Sequence, residues 1–187
     1  MIVISSNLSA FPIQLEQRTF RYREEIPLTA NILWRIEQGA VRTLTWNQEG
    51  TFITTGFWGA GDVVGQPLSS IKPYRIECLA KVEASILPAE RWYPAFDAVS
   101  HIRQAEEFLS IIQSQQVRDR LLQLLVWLSQ KFGRQTERGR LIELRLTHQE
   151  LAEVIHTTRV TVTRLINELE REQAIARYQR HLILLDH

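Results

Sequence analysis

Thr147-His148-Gln149-Glu150-Leu151-Ala152-Glu153-Val154-Ile155-His156-Thr157-Thr158-Arg159-Val160-Thr161-Val162-Thr163-Arg164-Leu165-Ile166 is the stretch whose reading decides the fold. Thr147 and Glu150 have capping-box spacing: the Thr147 oxygen accepts the Glu150 amide, and the carboxylate accepts the Thr147 amide. A helix starts there. Leu151, Ala152, Val154 and Ile155 give it one apolar face of barely two turns, which His156-Thr157-Thr158 interrupts. Thr158 can cap a second helix with Val162, Leu165, Ile166 and Leu169 inward, so the spacing predicts a helix-turn-helix.

The second helix exposes Arg159 in its first turn and Arg164 five residues on. In such motifs the N-terminal part of the second helix enters the major groove, where an arginine fork matches guanine O6 and N7. Val160 has no hydrogen bond to offer but fits a thymine methyl. The hydroxyls of Thr158, Thr161 and Thr163, with Thr147, His148 and the free amides of the first turn, suit phosphate contacts. The expectation is that the guanidinium groups of Arg159 and Arg164 protrude together from one helix.

Beyond Leu169, Ala176 to Leu185 reads as a β-hairpin with a basic tip, the wing of a winged helix. Arg177, Arg180 and His181 either approach backbone phosphates or simply solvate the hairpin. Ahead of the motif, Gln116 to Phe132 is almost fully apolar around its circumference, as a core helix is. Gly133 terminates it, and residues 135–140 form a polar loop leading into the apolar run Leu141 to Leu146. Further back, Ala89 to Phe96 reads as a short helix. From about Val99 the residues Ile102, Ala105, Leu109 and Ile112 step by three and four, with Phe108 and Ile111 widening the stripe. That stripe describes equally a helix lying on its own domain and a parallel dimer seam.

From about Phe11 to Pro88 the pattern is short strands, among them Thr19 to Tyr22, Ile32 to Ile36, Ala40 to Trp46 and Thr51 to Thr55. Turns fall at Gly39, Asn47 to Gly50, Gly59 to Asp62 and Lys72-Pro73. The fold class is therefore α+β: an antiparallel jelly roll over 1–96, a long helix over 97–114 and a winged helix-turn-helix over 115–187. With 187 residues, 44% of them hydrophobic, the chain can bury cores for this arrangement.

The formal charge is only +1, so polyanion binding requires a local patch. Residues 115–187 carry 12 basic against 9 acidic side chains, a balance of +3. One cysteine, Cys78, excludes an intrachain disulfide framework and fits a reducing cytoplasm. No run approaches a membrane-spanning length, and no export signal is expected.

Leu146 to Ala152 and Thr158 to Leu165 together resemble the Crp/Fnr superfamily of bacterial transcription regulators. Arg159-Val160-Thr161-Val162-Thr163-Arg164 particularly resembles the cyanobacterial global nitrogen regulators. Weaker similarity continues through Leu33 to Val41, Gly61-Asp62-Val63-Val64-Gly65 and Arg118 to Gly133. The resemblance implies a cyclic-nucleotide-binding-like roll, a dimerisation role for the helix over 97–114, and a homodimer on a near-palindromic operator of double-stranded DNA, with half-sites resembling GTA. It also offers residues 134–140 as a surface for RNA polymerase. Three departures accompany it. His156 stands at a turn usually held by Gly. Gln66, Tyr74 and Arg75 stand where the cyclic-AMP receptor has the carboxylate and Arg-Ser of its phosphate cassette, so cyclic AMP is not expected. The seam is short unless Trp92, Tyr93 and Phe96 extend it. Gln66, Lys72, Tyr74 and Arg75 are the candidates for holding some other small effector, against the plainer reading of surface or salt-bridged groups.

Other chemistries fit less well. A metal-dependent jelly-roll enzyme needs histidines on its strands, and all five here lie beyond the roll. No phosphate-cradling glycine loop and no nucleophile beside a base is recognisable, so no catalysis and no cofactor are expected. Cys78 as a redox thiol and His101 as a haem ligand are outweighed by ordinary burial and by helix capping. The rival class is a protein-interaction adaptor that does not read DNA.

Overall fold

The computed structural model describes residues 15–92 and 97–186. The element order is β1 (Gln17–Phe20), β2 (Ile32–Gln38), β3 (Ala40–Trp46), β4 (Phe52–Gly59), β5 (Val63–Val64), β6 (Arg75–Cys78) and β7 (Val82–Pro88). There follow α1 (Ala98–Ile112), α2 (Val117–Phe132), β8 (Gly133–Thr136), β9 (Gly139–Ile142), α3 (His148–Val154), α4 (Arg159–Arg171), β10 (Ile175–Tyr178) and β11 (His181–Leu185). Residues 1–14 and 93–96 lie outside the described part, so the expected seam contribution of Tyr93 and Phe96 falls there too. The helix expected over Ala89 to Phe96 is described only as a 3-10 turn, Ala89–Arg91.

Two antiparallel sheets make the roll, in the orders β1-β7-β2-β5 and β4-β3-β6. Phe20, Trp34, Ile36, Val41, Trp58, Val64, Ile76, Cys78, Val82 and Ala84 interlock between them. Gly39 turns β2 into β3 at φ 92°, where a Cβ would lie 2.3 Å from the Lys81 carbonyl oxygen, so glycine is required on both counts. Cys78 is fully buried, and burial first, then Glu24 and Glu77, pushes its thiol up to about 12. Such a thiol is unreactive at neutral pH. His101 stacks on Trp58 at 4.2 Å. The indole of Trp92 donates to the Leu87 carbonyl at 3.1 Å and packs on Leu33, Val63 and Leu87, so this ring serves the roll.

Helix α1 divides its apolar stripe. Phe108 and Ile111 are buried, with Phe108 edge-on to Phe57 at 5.8 Å. Ile102 and Leu109 stay about half exposed, at 56% and 49%, alongside exposed Ala105 and Val99; Ile112 is half-buried against the core. Phe108 must therefore be withdrawn from the expected dimer seam, because its ring fills the space between the roll and α2. One side of the helix thus lies on its own domain, and the side carrying Val99, Ile102, Ala105 and Leu109 is left exposed.

The polar stretch expected as a loop at 135–140 is a hairpin. Strands β8 and β9 pair, β9 pairs β11, and the sheet order is β10-β11-β9-β8. Its strand character escaped notice because both strands have only four residues, and Arg134, Gln135 and Arg140 hide the alternation. Gly139, at φ 132°, lets β9 approach β11 so closely that a Cβ would meet the Leu184 carbonyl at 2.1 Å.

The turn between α3 and α4 is as anticipated. His156 takes φ 51°, and the Thr157 amide donates to the Ala152 carbonyl at 3.0 Å, the long bond of a Schellman motif. A side chain in the left-handed region costs about 1–2 kcal/mol, partly offset by the greater unfolded-state freedom of glycine. His156→Gly is therefore expected to stabilise the protein by about 0.5–1 kcal/mol, seen as a raised urea midpoint with unchanged slope. A lowered midpoint would show that the imidazole makes a compensating interaction.

Candidate nucleic-acid interface

Thr147 caps α3 with both halves of the capping box: its oxygen accepts Glu150 N–H at 3.2 Å, and Glu150 Oε2 accepts Thr147 N–H at 2.6 Å. Thr158 caps α4 by accepting the Thr161 amide at 3.1 Å. Val162, Leu165, Ile166 and Leu169 are buried, and they join α3, α2, Phe108 and the roll residues Ala40, Phe57 and Leu79 in one continuous core. The opposite side of α4 is solvent-facing. Val160, Arg164, Asn167 and Arg171 recur there at helical spacing, and Val160 is 78% exposed.

Arg159 is exposed, and its guanidinium has no hydrogen bond or ion pair among the described residues. Arg164 is 61% exposed and donates to Glu168 Oε1 at 2.6 Å, one helical turn on. Such an exposed pair is worth at most about 0.5 kcal/mol, against about 1–3 kcal/mol for a bidentate guanine contact, so it does not lock the group away. Five residues correspond to about 140° around a helix, so the two arginines flank Val160 from either side instead of lying on one line.

The other expected contacts divide. Thr158 and Thr161 share a hydroxyl–hydroxyl bond of 3.0 Å at the exposed first turn. Thr163 departs from expectation: its hydroxyl donates to the Arg159 carbonyl at 2.9 Å and lies 2.8 Å from His148 Nδ1, which leaves no free proton for a phosphate. That bond ties the start of α3 to α4. Burial first, then the Arg177 and Arg159 charges, holds His148 below the usual histidine range, so the ring is neutral at pH 7. Arg177 reaches back to Asn167 Oδ1 at 2.6 Å and Glu170 at 3.1 Å, and so braces α4. Arg180 stays in the exposed β10–β11 turn and also lines a cleft facing the roll.

The expected effector residues each have a local setting of their own. Gln66 donates to Ser69 O at 3.0 Å, and Lys72 is exposed in a turn. Burial, opposed by a bond to Thr43, pushes the Tyr74 phenol up to about 12. Arg75 pairs with Glu25 at 3.2 Å and lies over Trp46 and Phe52. Each of the four side chains is engaged locally or solvated, which supports the plainer reading of them.

Residues that escaped the sequence reading join the helix-turn-helix to the roll. Arg42, 3% exposed in mid-β3, stands opposite Glu77 of β6 and donates to it at 3.1 Å. Its Nη1 donates to Glu153 of α3 at 2.9 Å. Arg23 bonds Glu77 at 2.7 Å and places its second nitrogen 2.9 Å from Oε1 of buried Glu150, an ion pair without hydrogen-bond alignment. Two guanidinium groups thus clamp three carboxylates across the boundary. Arg120 adds a tie from α2, donating to Ile155 O at 3.0 Å and Ser114 O at 2.8 Å. One sequence signal existed for Arg42: a charged residue inside a strand otherwise buried on both faces.

Residues 119–187 match the family described as the Crp-like helix-turn-helix domain. The regulatory protein CysR of Synechococcus elongatus is 39% identical over 165 residues, covering 87% of this chain and 80% of that protein. The chain belongs to the Crp/Fnr family. It is a transcriptional regulator with a helix-turn-helix DNA-binding domain, and this sets aside the adaptor alternative. The global nitrogen regulator of the same organism is 34% identical over 87 residues, covering 46% of this chain and 39% of that protein. Among solved structures, a CRP-family transcriptional regulator from Thermus thermophilus, TTHB099, shares the fold at TM-score 0.75 and 24% identity over 90% of this chain and 92% of its own. FixK2 from Bradyrhizobium japonicum does so at TM-score 0.77 and 16% identity, over 93% and 94%. Among the described residues no helix is long and apolar enough to cross a membrane, and no cluster of potential metal ligands occurs.

Truncating one member of a buried ion cluster leaves its partners uncompensated, typically at a cost of about 3–5 kcal/mol. Arg42→Ala is expected to destabilise the regulator by about 3 kcal/mol in urea unfolding, and Arg42→Met by less, since the thioether refills the space. Near-wild-type midpoints for both would show the clamp to be solvated in solution.

Proposed function

We propose that this regulator reads DNA as a homodimer through α4, with Arg159 and Arg164 forking onto guanine edges on either side of Val160, which touches a thymine methyl. What carries this reading is the exposed face of α4: an unpaired guanidinium, a weakly paired one and an almost fully exposed valine on a helix whose opposite side is buried. Thr158, Thr161 and Thr147 contact phosphates, and Arg177 holds Asn167 in place. The half-sites resemble GTA, as the likeness of Arg159, Val160 and Arg164 to the global nitrogen regulators implies, and Val160 lacks the carboxylate that would accept from cytosine N4. Regulation does not involve catalysis or cyclic AMP, and the setting is the cytoplasm. The exposed β8–β9 turn at Glu137 and Arg138 is the surface offered to RNA polymerase.

Selection of genomic fragments retained by the purified protein supplies the operator. On it, Arg159→Ala and Arg164→Ala are each expected to cost about 1–3 kcal/mol while largely sparing random duplex. Equal losses on random DNA would reduce both residues to phosphate clamps.

The second copy is seated by the exposed side of α1, where Val99, Ile102, Ala105 and Leu109 lie at seam spacing. Two such helices place two α4 helices on successive half-sites, about one DNA turn apart. Ile102→Glu with Leu109→Glu is expected to give a folded monomer in light scattering, with operator affinity reduced toward the non-specific level. A persistent dimer would move the interface elsewhere.

A further inference from the structure

Between the roll and the winged helix lies a cleft of about 630 Å³. Its roll side is Tyr22, Leu79 and Ala80; its other side is the chain from Glu143 to Thr147, with Arg180 from the β10–β11 turn. Leu79, Leu144 and Leu146 make the floor apolar. The size is ordinary for a small-molecule site, and clefts between two bodies are where such sites concentrate.

The charges around that floor are unbalanced. Arg180 has no side-chain hydrogen bond or ion pair among the described residues. Arg145 has one partner, His181, whose Nε2 receives the Arg145 Nε–H at 3.2 Å. The other ring nitrogen, Nδ1, lies 3.1 Å from the Ile142 carbonyl, which can only accept, so Nδ1 carries the proton and the imidazole is neutral. His181 therefore orients Arg145 without cancelling its charge. Glu143 is the cleft's one carboxylate, and it is already paired with Arg134 at 2.9 Å. Two uncompensated guanidinium groups thus border an apolar floor.

We propose that this cleft is a binding site for a small amphipathic anion, with an acidic head held by Arg145 and Arg180 and an apolar body lying on Leu79, Leu144 and Leu146 against Tyr22. Planar guanidinium forks favour an acidic head with two or more oxygens, a carboxylate or a sulfo or phospho group. The site differs from the one expected at Gln66, Lys72, Tyr74 and Arg75, and it stands whether or not α4 reads DNA. Its position gives binding a consequence. Tyr22 adjoins Arg23 and Thr147 caps the helix that carries Glu150, so a ligand here touches both sides of the boundary beside the ion clamp.

The probe is 8-anilinonaphthalene-1-sulfonate, an aromatic anion whose fluorescence rises on leaving water, titrated into the full chain. Saturable binding at one site per chain is expected. Arg145→Gln with Arg180→Gln, and separately Ala80→Trp, which fills the cleft, should each weaken it about tenfold or more, as loss of charge-assisted contacts or of space implies. Circular dichroism melting confirms that both variants fold. The uncharged N-phenyl-1-naphthylamine, which keeps the rings and lacks the sulfonate, should bind about tenfold more weakly than the anion. Unchanged probe binding in both variants, or equal binding of the neutral compound, would overturn the site. So would a double arginine variant that loses duplex affinity and salt dependence while its probe binding persists, because those arginines would then be phosphate contacts.

Discussion

The buried guanidinium of Arg42 is the point on which the relation between the two halves turns. An apolar interface is indifferent to small rotations, because burial scales with area and carries no direction. The core that runs from Ala40, Phe57 and Leu79 into α3 and α4 has that character. A guanidinium 3% exposed does not, since a shift of about an ångström leaves a charge without its partner in a medium that penalises it. Glu77 aims Arg42 within the roll, and Arg42 then meets Glu153, while Arg23 and Glu150 repeat the logic one turn back along α3. The net stabilisation of such a cluster over apolar isosteres is small. Its effect is to select one orientation of the reading head.

Within that head the polar groups form two classes. Thr163, His148, Asn167, Arg177 and Arg120 use their hydrogen bonds on one another or on the main chain, and fix α4 against α3, α2 and the wing. Arg159, Val160 and Arg164 project outward with little to hold them. A well-braced helix carrying exposed, lightly paired arginines suits the recognition proposed for it, because the positions of their roots are fixed while their hydrogen-bonding groups are left open. The division follows from helical period, because positions 162, 165, 166 and 169 face the core and leave 160, 164, 167 and 171 to the solvent.

Much of this was legible in the sequence, for identifiable reasons. The capping box at Thr147, the cap at Thr158 and the left-handed His156 are local features, governed by residues within one or two turns, and local rules recover them. The strands β2 and β3 were equally plain from their β-branched and aromatic runs. What escaped depends on residues distant along the chain. Arg42 and Glu153 are separated by over a hundred positions, and nothing near either marks the other. Strand β8 is polar and becomes a strand only because β9 supplies its ladder, β9 being held in turn by the distant β11. Phe108 and Leu109 are neighbours with opposite fates, one filling the core beside Phe57 and one left in solvent, and only the packing of α1 on α2 decides which is which.

Among the described residues, packed side chains fill the roll's own interior. Trp34 and Trp58 occupy it together with Ile76, Cys78 and Val82, all at or below 6% exposure, so a molecule entering between the sheets would have to displace a buried indole. A ligand biases a regulator only by its differential affinity for two arrangements. Groups lying wholly within one rigid body feel no difference when that body rotates as a unit, whereas groups split between two bodies do. Tyr22, Leu79 and Ala80 belong to one side and Leu144, Arg145, Leu146 and Arg180 to the other, with the ion clamp adjoining them. Whatever binds there senses orientation directly, and the same electrostatics that hold α3 against the roll set how strongly it does so.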